Sequence, residues 1–239
     1  MRIDQSHWMQ VEAVLARGED RAVLPLGSIE QHAYLSLATD AWLSAAVAQE
    51  AAAPLGVPVF PVQGYGYTPA YAAFPGTLSL RLETFLAVVG DLLEGLARQG
   101  FRRILVVNGH GGNAPGQALV AEVLAKLEPL MPNLQIQWHN WWAAPRTMAF
   151  VREHDPQASH ASWMERFPLT RVADAGEPSG SKAPIDLAQL RLMGPAKARA
   201  YLGDGCYGGR YTMDEAVTRQ LWAVAVAETR EVLQSGWLG

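Results

Sequence analysis

Short apolar runs alternate along the chain with longer segments whose apolar residues recur at helical spacing. Ala22-Val23-Leu24-Pro25-Leu26, closed by Gly27-Ser28, reads as a buried strand. Residues 39–53 read as an Ala-rich helix with Thr39 and Asp40 placed to cap it. Val57 to Val62 reads as a second strand, and its two prolines predict an edge or irregular path. Leu82 to Gln99 has helical spacing and stops at Gly100. Ile104-Leu105-Val106-Val107, ending at Asn108-Gly109, is the clearest strand, and Asn113 is placed to cap a helix running through Leu127. Leu134 to Trp138 alternates like a strand, and residues 214–234 form an amphipathic closing helix. Strands alternating with helices predict an α/β fold with a mostly parallel sheet. With no linker or repeat in view, all 239 residues are assigned to one domain. The Gly-, Pro- and Ala-rich stretch 174–212 is a long excursion of the kind that often carries function.

Composition narrows the function classes. Hydrophobic residues make up 49% and charged residues 18%, enough for a sizeable core. A net charge of −4 argues against a nucleic-acid binder held by phosphate contacts. One cysteine, Cys206, excludes an internal disulfide framework and a thiolate zinc cluster, and fits a passive small residue better than a nucleophile. The polar opening Met1-Arg2-Ile3-Asp4-Gln5 lacks a signal-peptide core, and no apolar run reaches the roughly 20 residues that span a bilayer. The expectation is a cytoplasmic protein.

Two polar segments sit where strands end: Gly27-Ser28-Ile29-Glu30-Gln31-His32, with Asp40 beyond it, and Asn108-Gly109-His110-Gly111-Gly112-Asn113. Ligand sites in open α/β sheets form outside the carboxyl ends of strands. Carboxylates with neutral imidazoles suit Zn²⁺, Mn²⁺ or Fe²⁺. Glu30 and His32, two apart, share one side of an extended chain, and Asp40 can reach back to them. The glycines around His110 permit close backbone approach or positive φ. Taken singly, each segment also reads blandly: a solvated turn, a helix cap, a flexible glycine loop. The glycine loop lacks the Lys-Ser/Thr ending of a phosphate-binding P-loop. His7, His139 and His154 are assigned capping, surface or core roles. The tryptophans are assigned mostly to the core, with Trp138 to Trp142 as candidates to line a pocket.

Leu24 through Glu30-Gln31-His32 to Asp40, Phe74-Pro75-Gly76-Thr77, Asn108 to Asn113, and His160-Ala161-Ser162-Trp163-Met164-Glu165 together resemble the motifs of the creatininase family, in order. Gly203-Asp204 with Glu215 is similar to its weaker C-terminal pattern. The resemblance implies a three-layer α/β/α sandwich with a mostly parallel central sheet, two divalent metal ions (zinc first, manganese or iron as options) and a homo-oligomer, a hexamer among the options. It implies Glu30, His32, Asp40, His110 and Glu165 as metal ligands, with Asp40 bridging, and His160 as the proton-transfer residue. It further implies a hydrolase cleaving a cyclic amide or other C–N bond of a small polar molecule with a metal-activated hydroxide. Ala33-Tyr34 after His32 and Ala70-Tyr71 before the Phe-Pro-Gly-Thr run depart from the family pattern beside the metals, so creatinine itself is not the expected substrate. The alternatives are hydrolytic C–C ring opening of a cyclic sugar ketone, and a non-catalytic metal-dependent binding protein.

Overall fold

Parallel pairing sets the architecture. In the computed structural model, which describes residues 1–238, strand β1 (Arg21–Leu26) pairs with β2 (Arg103–Asn108), and β2 with β3 (Gln135–Asn140), both parallel. The register aligns Leu26 with Asn108 and Asn108 with Asn140, so all three strands end along one edge. The 57–63 segment runs beside β1 but touches it only through isolated parallel bridges, Val23 with Val59 and Leu26 with Gln63. Its prolines remove ladder donors, so the expected second strand is an irregular edge.

Helices cover both faces, giving the three-layer sandwich. Because side chains alternate along a strand, each strand feeds two cores. Val23, Leu105 and Val107 pack on one face against α2 (Thr39–Ala52), α5 (Pro145–His154) and α8 (Glu215–Ser235). Ala22, Leu24, Leu26, Ile104 and Val106 pack on the other against α3 (Leu82–Arg98) and α4 (Pro115–Leu127). The strands are buried on both faces, which explains why β1 and β2 read as continuous apolar runs. A further helix, α1 (Trp8–Ala16), precedes the sheet. The 174–212 stretch is more ordered than its composition suggests. It holds α6 (Leu187–Leu190), α7 (Pro195–Leu202) and an antiparallel pair, β4 (Ser181–Lys182) with β5 (Gly209–Arg210).

Two expected caps are absent. Helix α2 begins without a side-chain cap: Thr39 Oγ1 donates to the Ser36 carbonyl and Asp40 turns inward. Asn113 lies in a single 3₁₀ turn before α4, and its side-chain amide donates to the Gly27 carbonyl and to Asn108 while its oxygen accepts from Tyr67 N–H. Both polar side chains are taken by the strand ends, a stronger demand than helix capping because these groups are buried.

Candidate metal centre

The common strand edge delivers the site. The chain leaving β1 carries Glu30 and His32, the chain leaving β2 carries His110, and α2 starts at that edge with Asp40 in its first turn. Glu165 and His160 arrive from the loop after α5. All but His160 are buried, and His160 is half-buried. The structure therefore brings together all six residues singled out from the sequence, including the two that came from the resemblance alone.

Donor atoms of Glu30, Asp40 and His110 lie within 4.8 Å of one another, and so do those of His32, Asp40 and Glu165. Asp40 belongs to both sets, so it can bridge two cations. Glu30, His32 and His160 form a third such group. Four of the five candidate ligands, all but Asp40, are held from behind. His32 Nδ1 lies 3.2 Å from the Glu30 carbonyl, which can only accept, so Nδ1–H donates and Nε2 faces Asp40 Oδ1 at 3.0 Å. His110 Nε2 likewise donates to the Tyr67 carbonyl at 3.1 Å, aiming Nδ1 at Asp40 Oδ2 at 3.0 Å and Glu30 Oε1 at 3.3 Å. Such backing fixes the tautomer in which the inward nitrogen offers its lone pair. Thr68 donates to Glu30 Oε2, and Ala161 N–H donates to Glu165 Oε2 at 2.6 Å.

Two carboxylate oxygens, Glu30 Oε1 and Asp40 Oδ2, are buried with no hydrogen bond at all, although His110 Nδ1 stands close to both. Three buried carboxylates and three imidazoles in so small a volume repel or stay unsatisfied unless a cation joins them. The donor set is all oxygen and nitrogen, which suits Zn²⁺, Mn²⁺ or Fe²⁺. The residues fit divalent metal.

Titration follows the same crowding. Burial opposes charge on His32, but Asp40 and then Glu165 overcome it and raise the imidazole to about 10. His110 is also raised, by Glu30 and Asp40 against burial. Burial, with Asp40 beside it, pushes Glu165 up to about 7. Burial, followed by the charge of His32, lowers His160 to about 4, so it is neutral at pH 7. His160 Nε2 lies 2.9 Å from Gln31 Nε2 and 3.1 Å from the Gln31 carbonyl. One glutamine thus offers this nitrogen both a donor and an acceptor, so either tautomer is supported as a proton moves. Gln31 is itself anchored on the Gly205 carbonyl and Ala33 N–H.

The centre floors a cavity of about 500 Å³, walled by Trp142, Met148, Tyr71 and Tyr207. The Tyr71 ring stacks on His160 with centroids 5.8 Å apart. Gly111 and Gly112 line the same cavity. None of the glycines around His110 has positive φ, and two of them, Gly109 and Gly112, serve close backbone approach. A β-carbon on Gly112 would collide with the Tyr67 carbonyl and with His110 Nε2. Gly112→Ala is expected to weaken metal affinity about 10- to 100-fold by breaking that backing contact, measured by competition with a chromophoric chelator. An unchanged affinity would show that the contact is dispensable.

Several expected or overlooked residues sort themselves by position. Of the tryptophans considered for the pocket, Trp142 lines it, whereas Trp138 packs against the core and Trp141 is buried in it. Asp204 pairs with Lys182 and Tyr211, and Glu215 with Arg171, both outside the cluster. Cys206 is buried and its thiol is pushed up to about 11 by that burial, which keeps it inert. Thr68, Tyr67 and Gln31 in its backing role were not foreseen. Thr68 and Tyr67 have no chemical signature in sequence: Thr68 acts through its hydroxyl and Tyr67 through its backbone carbonyl, both placed by the chain path after residue 63.

A family model described as creatinine amidohydrolase matches residues 4–233. Among curated relatives, the creatinine amidohydrolase of Pseudomonas putida is 36% identical over 113 residues, covering 45% of this chain and 44% of that protein. A mycofactocin precursor peptide peptidase of Mycolicibacterium smegmatis is 39% identical over 111 residues, 42% of each chain. A 3-dehydro-scyllo-inosose hydrolase of Thermotoga maritima is 31% identical over 94 residues, 38% of this chain and 30% of that one. The matched stretch thus spans less than half the length of each of these relatives. Two solved structures, a Zn–Zn form of a creatininase mutant and a creatininase described as Mn, each superpose with a TM-score of 0.80 at 23% identity. They cover all of this chain and 98% and 99% of theirs.

Proposed function

The chain belongs to the creatininase family, and on that premise we propose that it is a metal-dependent amidohydrolase cleaving a C–N bond, cyclic or open, in a small polar molecule. The observation that supports this best is the pair of overlapping donor sets sharing Asp40, with two carboxylate oxygens left unsatisfied at the floor of a cavity. Glu30, Asp40 and His110 would hold one cation, and His32, Asp40 and Glu165 the other. A bound pair of divalent cations supplies Lewis acidity, acidifying water to near neutrality and polarising a carbonyl. His160, neutral at pH 7 and steadied by Gln31, accepts a proton and returns it to the departing nitrogen. The apolar walls exclude bulk water and strengthen these electrostatic effects.

Zinc is the proposed metal, with manganese or iron as the options; a Zn–Zn form and a Mn form both occur among the structural neighbours, and the oxygen and nitrogen donors suit all three. We assign one domain, and a homo-oligomer on the strength of exposed Leu37, Trp42 and Leu78 on neighbouring segments. No helix among the described residues is long and apolar enough to cross a membrane, and the lone buried thiol suits a reducing compartment, which supports a cytoplasmic assignment.

Metal analysis after zinc- or manganese-supplemented expression tests the centre, with close to two equivalents per chain expected; under half an equivalent sinks it. Product mass spectrometry on a panel of lactams, linear amides and cyclic diketones then separates the reactions. Release of an amine supports the amidohydrolase. Opening of a diketone ring would support the second reading, C–C hydrolysis of a cyclic sugar ketone, which the Thermotoga maritima relative favours. Tight ligand binding with no product over hours would make the chain a binding protein.

A further inference from the structure

The 174–212 excursion, which the proposed chemistry leaves unused, returns over the cavity. Leu187, Leu190 and Arg191 come from α6 and the residue after it, and Tyr207 from the loop before β5. The floor residues Glu30, Asp40 and Glu165 are buried, whereas Leu187 and Arg191 are exposed, so the latter two form the rim. Arg191 is the sole guanidinium or ammonium group lining this cavity among the described residues. Its side chain makes no hydrogen bond or ion pair there, whereas Arg166, on a neighbouring loop, is locked to Glu177 at 2.6 Å. Between floor and rim the walls are largely apolar, supplied by Trp142, Met148 and Met164.

Resting on the amidohydrolase reading, we propose that the substrate is an amide with an apolar body and a terminal carboxylate, and that Arg191 selects it by pairing with that carboxylate. The arrangement sorts a ligand end to end. Two divalent cations would more than offset the three carboxylates of the floor, so anions meet no repulsion there. The reacting amide then sits on the floor, the aliphatic part lies along Trp142 and Met148, and the carboxylate reaches the rim. A planar guanidinium suits a carboxylate because it can donate two parallel hydrogen bonds. A cationic substrate would meet like charge at Arg191.

The test uses the metal-loaded protein and two probes, N-acetyl-6-aminohexanoic acid and its terminal carboxamide, which set an aliphatic chain between the amide and the far end and differ only in carboxylate against carboxamide. Calorimetry is expected to show the carboxylate binding about tenfold more tightly, the scale of one charge-assisted hydrogen bond. The preference should shrink as salt rises, fall to near unity in Arg191→Ala and reverse in Arg191→Glu. Arg191 is exposed, so neither variant threatens the fold. Equal binding of the two probes, binding of neither, or a preference that survives Arg191→Ala overturns the proposal. Metal content is measured first: a chain that retains no metal overturns both readings, whereas a loaded chain indifferent to the carboxylate overturns this one alone.

Discussion

Glu30→Gln and His110→Ala are each expected to lower kcat/KM at least ~1000-fold while leaving the far-ultraviolet circular dichroism unchanged. Each removes one donor from the set that also contains Asp40. A cation is asked to supply several kcal/mol of charge stabilisation in the transition state, and about 4 kcal/mol corresponds to ~1000-fold. The fold should survive because these side chains project from loops beyond the strand ends, not from the two cores. Metal content should fall with activity. Glu215→Gln provides the contrast: this residue matches a family-like pattern but pairs with Arg171 on the surface, so its loss should change kcat/KM by no more than about twofold. Should Glu30→Gln keep both metal and turnover, the assignment of the site fails. Should Glu215→Gln behave like Glu30→Gln, the cluster is misplaced.

What the sequence disclosed about this site followed from where chemistry meets regular structure. Glu30, His32, Asp40 and His110 lie next to strand ends and a helix start, and parallel pairing sends all such ends to one edge, so spacing along the chain carries over into proximity. Glu165 and His160 sit in a loop that ends in a single 3₁₀ turn, where no periodicity ties sequence distance to direction, and only the family-like motif marked them. The caps failed for a related reason. Asp40 and Asn113 have the residue types of caps, but a buried partner outbids a solvated helix end, and local sequence does not record what lies across the fold. The glycines of the His110 loop were legible as a requirement and not as a mechanism: what forbids a side chain at Gly112 is the carbonyl of Tyr67, 45 residues earlier. Arg191 was invisible, because nothing in a Gly- and Pro-rich stretch reveals that it folds back over the strand ends.

Acid should destabilise the protein through His139, which lies on β3 and takes no part in the centre. Its ring is buried, with Nε2 3.0 Å from Thr229 Oγ1 and the Glu228 carboxylate nearby on α8. Burial lowers its pKa to about 4, and the attraction of Glu228 offsets that only in part. In the unfolded chain the same imidazole titrates near 6.5. The unfolded state therefore binds the extra proton first as pH falls, so the stabilisation is complete above about 6.5 and is lost progressively down to about 4. At 1.36 kcal/mol per unit, the loss attributable to this one residue is about 2 kcal/mol at pH 5 and approaches ~3 kcal/mol near pH 4. His139→Gln keeps a hydrogen-bonding group for Thr229 and removes the titration. The stability difference between wild type and variant, from urea unfolding in chelator at pH 7 and pH 5, should shift by about 2 kcal/mol in favour of the variant at the lower pH. Chelator matters because it holds the centre in one metal state at both pH values, so that the titrations of its own histidines, His32 and His110 included, are common to wild type and variant and cancel from the difference. A difference that stays constant between the two pH values would mean that His139 is already charged in the folded protein, and that Glu228 outweighs its burial.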